Sequence, residues 1–117
     1  MRIRRNGSIL WLIQAITGFA LTMLLGLHMV ANHFVVEGGL QTYRDVLAYL
    51  AHPAVFVLEV IFLLVVVPHA FLGLRAVLMD LGPKPRTQRR LDIMLTILGT
   101  AAVLYGIALF AALQARI

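Results

Sequence analysis

Three long apolar stretches, at about residues 9–36, 53–81 and 91–113, are separated by short polar ones. A helix crosses the hydrocarbon core with about 20 apolar residues, at ~1.5 Å of rise each. Backbone polar groups in lipid must be satisfied within the segment, so each stretch predicts a transmembrane helix. All three exceed the minimum length, so tilt or protrusion is expected. Between the first two, EGGLQTYRDVLAYLAHP opens on a Gly-Gly turn. It then sets Tyr43, Val46, Leu47 and Leu50 at the spacing of a short amphipathic helix lying at the interface. Pro53 opens the second span in the tolerated first-turn position. Between the second and third spans, GPKPRTQRR places Gly82 and two prolines as a stop. The pattern therefore predicts an all-α membrane protein, with three transmembrane helices and one short interfacial helix. It shows no repeat and no linker, so residues 1–117 are expected to form one domain.

Composition agrees: 62% of residues are hydrophobic and 13% charged, with a mean hydropathy of +0.94. The first stretch is too long for a signal-peptide core, and no small-residue cleavage site follows it, so it is expected to stay as a helix. The absence of cysteine excludes disulfides, thiolate-held iron–sulfur clusters and haem attachment through CxxCH. A metal cofactor would have to be held by His, Met or carboxylate. The net charge of +5 is placed by topology. Arg2, Arg4 and Arg5 precede the first span, and Lys84, Arg86, Arg89 and Arg90 precede the third. The positive-inside rule then puts the N-terminus and second loop in the cytoplasm, with the first loop and C-terminus outside. These cations read as topology signals touching anionic lipid, or as a docking surface for a cytoplasmic partner, rather than as a nucleic-acid site.

Against this background the ionisable residues at membrane depth stand out, because such groups usually face a partner, a cavity or a cofactor. His69 lies ~18 Å from the cytoplasmic end of its span, with Gly73 one turn on and Ala76 on the same face. Taken alone this reads first as close helix packing, and otherwise as a flat slot suited to an axial imidazole beside a porphyrin. His28 lies ~28 Å from its own cytoplasmic end, ~10 Å nearer the outer face than His69. At different depths the two are poorly placed to grip one iron, so as ligands they serve two haems, each completed from another chain. Asn32 shares His28's face. His33 is ~140° away and reads, like His52, as an interface residue. Gly18, Thr22 and Gly26, and Gly99 and Gly106, read as packing stripes. Glu59, near the depth of His28, is either a bland protonated acid or a proton relay to the outer surface. Asp80 opposes the dipole at its helix end and calls for a cation, with Arg75, Arg5 and Arg86 as candidates. Arg75 could instead pair with a haem propionate. Three helices leave little interior for such groups, so another membrane subunit is expected.

The stretch PHAFLGLRAVLMDLG carries His69, Gly73, Arg75, Asp80 and Gly82. It resembles the His-x-x-x-Gly-x-Arg-x-x-x-x-Asp-x-Gly signature of succinate dehydrogenase cytochrome b subunits. WLIQAITG resembles that family's first-span entry. LHMVANHF resembles the first-span segment of the dihaem anchors, in which the first His ligates the outer haem. The resemblance covers nearly the whole chain. It implies a membrane anchor of succinate dehydrogenase or fumarate reductase in a prokaryotic cytoplasmic membrane. His28 and His69 would each give one axial ligand to one of two b haems shared with a sister anchor, with Gly73 and Arg75 as haem neighbours. Iron–sulfur and flavoprotein subunits would dock on the cytoplasmic face. The chain would pass electrons to or from a quinone, taken to be menaquinone, without itself oxidising succinate. Ala15 stands where many relatives have an Arg that helps bind quinone or a propionate, so a quinone site would draw on the sister subunit, with Trp11 and Gln14 as candidates here. Two other readings stay open: a single-haem anchor using His69 alone, and a haem-free subunit of a proton or solute transporter using Glu59, Asp80 and the histidines as a relay.

Overall fold

The computed structural model describes the backbone of residues 2–117 and the side chains of residues 7–117. Four helices follow in order: α1, Arg2–Phe34; α2, Tyr43–Leu50; α3, Pro53–Asp80; and α4, Pro85–Gln114. Helices α1, α3 and α4 are each long and apolar enough to cross a membrane. The side chains of Arg2, Arg4 and Arg5 lie outside the described residues.

The boundaries follow from local chemistry. Helix α1 gives way to a turn in which Gly38 and Gly39 both take φ of +79°, a region that L side chains rarely adopt. Helix α2 starts at a capping box: the Asp45 amide donates to the Thr42 hydroxyl, and the Thr42 amide donates to the Asp45 carboxylate. Helix α4 begins at Pro85, earlier than the apolar pattern indicated. Proline at the first helical position loses no hydrogen bond, so the basic segment extends the helix rather than ending as loop. Arg86, Arg89 and Arg90 therefore sit on the opening turns of α4. Helix α3 runs on through Pro68, whose missing N–H leaves the Leu64 carbonyl without its usual donor, one residue before His69.

Helices α1 and α4 both pack against α3, and α2 closes one end over α3 and α4. Burial is concentrated at that end. Tyr49 and Leu50 are 2% and 3% exposed, and with Val55 they pack against Ala31, Val36 and Phe110. The flanks of the spans stay largely exposed, with Trp11, Phe19, Leu104 and Tyr105 all turned outward. Lipid is as apolar as leucine, so spans gain little from burying their sides against each other, whereas a helix at the interface does.

Close helix packing rests on fewer glycines than the stripes suggested. A Cβ at Gly106 would come within 2.6 Å of Leu63, and one at Gly99 within 3.5 Å of Phe71. Gly18 faces His69, but nothing lies near Gly26.

Candidate functional site: two backed histidines

Helices α1 and α3 run antiparallel in a single register. Gly73 faces Gln14, and four residues further along α1 and back along α3, Gly18 faces His69. Ten residues beyond that, His28 faces Glu59. The two histidines are therefore separated by ten residues, or ~15 Å along the axis. This exceeds the ~10 Å obtained by counting from the assumed span ends Ile9 and Leu81, because those ends are not level: the register that sets Gln14 on Gly73 brings Ile9 level with about Leu78. No single metal lies within bonding reach of both. Among the described residues, no group of three or more His, Cys, Asp or Glu side chains is arranged to hold a metal ion alone.

Each histidine is fixed through Nδ1. His28 Nδ1 lies 2.7 and 2.9 Å from the two oxygens of Glu59. Glu59 is 6% exposed, and its Oε1 also accepts from the Tyr49 hydroxyl. The His28 ring stacks on Phe62, with centroids 4.9 Å apart and planes 19° from parallel. Burial first, and then the hydrogen bond and charge of Glu59, push the Tyr49 phenol above its ordinary value, so it remains a donor.

His69 Nδ1 lies 3.0 Å from Thr17 Oγ1. The Thr17 hydroxyl donates its one proton to the Ile13 carbonyl at 2.7 Å, so it accepts from His69. Gly18 makes room for the ring: a Cβ there would come within 3.2 Å of His69 Cε1. In both rings the acceptor at Nδ1 selects the tautomer protonated there and leaves Nε2 with its lone pair. A metal-binding histidine commonly has this arrangement, with the second nitrogen tied to a carboxylate, hydroxyl or carbonyl. The donor set thus fits two irons, each taking one imidazole from this chain.

Other expected site residues fall elsewhere. Asn32 does not orient the His28 ring: its amide donates to the His28 backbone carbonyl at 2.7 Å, and Glu59 holds the ring. Arg75 pairs with Asp92 on α4, at 2.6 Å from Nε, and not with Asp80. Positions 75 and 80 are ~140° apart around α3, so they look in different directions. Asp80 is exposed and makes no ion pair among the described residues. The room at Gly73 is taken by Gln14 Nε2, while Gln14 Oε1 is buried without a hydrogen-bond partner among the described residues. Trp11, one turn before Gln14, is 70% exposed, whereas Gln14 is half-buried against α3. A mainly apolar cleft of about 820 Å³ lies between α1, α3 and α4, bounded by Leu10, Phe71, Arg75, Asp92 and Thr96. Neither Trp11 nor Gln14 lines it. His33 and His52 are exposed, as expected of interface residues.

The model of the succinate dehydrogenase/fumarate reductase transmembrane subunit family matches residues 2–111. The chain belongs to this family. The succinate dehydrogenase hydrophobic membrane anchor subunit of Archaeoglobus fulgidus is 33% identical over 99 residues, covering 85% of this chain and 84% of that protein. The subunit of the same description from Thermoplasma acidophilum is 27% identical over 112 residues, covering 96% and 90%. No solved structure matches. This member of the transmembrane subunit family was recognisable from His28, His69 and their flanking residues. The roles of Tyr49, Phe62 and Asp92 were missed, and Thr17 was met only within the stretch WLIQAITG. Only Asp92 carried a signal of its own, as an acid one residue into the third apolar stretch.

Proposed function

We propose that this chain is one of two anchor subunits of a succinate:quinone oxidoreductase, and that it shares two b-type haems with its sister. The observation that carries this is the pair of histidines, each tied at Nδ1 and presenting Nε2, ten residues apart along one helix register. His69 would give the axial ligand nearer the α3–α4 turn, and His28 the one nearer α2. A haem held by His28 or His69 and a histidine of the sister subunit would supply one-electron chemistry at that depth. The chain's own part is to orient each imidazole, exclude water and span the membrane.

In this reading the N-terminus and the α3–α4 turn face the cytoplasm of a prokaryote, supported by Lys84, Arg86, Arg89 and Arg90 at that end. The iron–sulfur and flavoprotein subunits dock there, and the exposed flanks of the spans meet lipid and the sister anchor. Electrons pass between the iron–sulfur subunit and membrane quinone. With Gln14 turned onto Gly73 and Ala15 lacking a charge, the sister subunit supplies much of the quinone site.

A reduced-minus-oxidised visible spectrum of the purified complex tests the reading. Two b-type haems per complex are expected, one removed by His28→Ala and the other by His69→Ala. Retention of both haems in either variant would overturn the ligand assignment. A single haem would indicate the one-haem anchor, and none a haem-free subunit.

A further inference from the structure

Glu59 is the most deeply buried charged side chain among the described residues, and it lies in an apolar span. Burying a carboxylate is costly unless donors satisfy it. Here two donors from two other helices converge on it: His28 Nδ1 from α1 and the Tyr49 hydroxyl from α2. Such a carboxylate is built to stay in place. We propose that Glu59 and Tyr49 are positioning residues for His28, with α2 acting as the clamp that sets the ring's direction and its electron-donating strength.

The inference rests on His28 being a haem ligand and goes beyond it. A carboxylate accepting from Nδ1–H raises the basicity of Nε2 and brings negative charge close to the iron. Both effects favour the ferric state. The haem held by His28 therefore has a lower midpoint potential than the same haem with a neutral partner behind its ligand. His69, backed by a hydroxyl, lacks this bias. Tyr49 enters through the carboxylate: its hydroxyl fixes Oε1 and prevents Glu59 from turning away from the ring. The capping box at Thr42 and Asp45 secures the start of the helix that carries Tyr49.

Potentiometric titration of the intact purified complex, following the b-haem absorbance, tests the proposal. Glu59→Gln keeps an acceptor oxygen for Nδ1–H but removes the charge. The complex should keep both haems, with the midpoint potential of the haem that His28→Ala removes shifted upward and that of the other unchanged. Glu59→Leu removes the acceptor as well, and should empty the His28 site while leaving the His69 haem in place. Tyr49→Phe should broaden the low-spin ferric electron paramagnetic resonance signal of the His28 haem alone, as the ring loses a fixed direction. Native potentials in a Glu59→Gln complex that holds two haems would overturn the positioning role and leave the ligand assignment standing. A native complex with a single haem, removed by His69→Ala alone, would overturn the ligand assignment and this inference together.

Discussion

The two histidines of this bundle are held through the same nitrogen by different means. His28 leans on a buried carboxylate, itself held by a tyrosine from a third helix. His69 leans on a threonine hydroxyl of the helix it faces, with a glycine beside it to admit the ring. The first arrangement needs α1, α2 and α3; the second needs only α1 and α3. Their chemistry also differs: a carboxyl group stands behind His28 and a hydroxyl behind His69. One residue type can thus be given two unlike settings by changing what stands behind the ring.

The contrast can be broken most drastically at the two proposed ligands, where His28→Ala and His69→Ala should each remove one haem completely and spare the other. Next in size is the loss of an orienting partner. Thr17→Val removes the acceptor behind His69, and haem retention at that site should fall about 10-fold or more. Thr17→Ser should restore it, and haem dissociation rates from the purified complex measure both. A smaller effect is expected at Gly18. Gly18→Ala brings a methyl within 3.2 Å of His69 Cε1, so the ring must move by a few tenths of an ångström. The His69 haem spectrum should shift, with the His28 haem unchanged.

Helix sites as unlike as these were only half visible in the sequence. The spans were legible because runs of that length have no other stable use, and the short α2 was legible from Tyr43, Val46, Leu47 and Leu50. His28 and His69 were legible because ionisable groups in lipid demand a reason. What stood behind them was not. Thr17 and Tyr49 are ordinary residues whose roles depend on which positions of one helix meet which positions of another, and that register is a property of the packed bundle. Arg75 shows the same limit. Its sequence neighbour Asp80 looked like a partner, while the true one, Asp92, lies across a turn and on another helix.

Two gentler perturbations sharpen the comparison. Asp45 is held below its ordinary value of 3.8 by hydrogen bonds from the Gln41 backbone, the Thr42 side chain and the Thr42 backbone. A carboxyl lowered on folding stabilises the fold fully above that ordinary value, and loses the contribution as pH falls through its lowered value. Below about pH 3.8 the hydrogen-exchange protection of α2, relative to the intrinsic rate at each pH, should therefore fall. The smallest effect is expected outside both sites. Arg75→Gln breaks a partly exposed ion pair between α3 and α4 and should lower stability by about 1 kcal/mol or less, with both haem spectra intact.

The shared register of α1 and α3 has a consequence for biogenesis. Gln14 on Gly73, Gly18 on His69 and His28 on Glu59 are set by one alignment of two rods. A slip of one helical turn, ~5.4 Å, would put every one of these pairs out of step at once. No insertion intermediate can have one histidine docked and the other misaligned, so docking of the two rings should be a single all-or-none event as the first two spans meet in the bilayer.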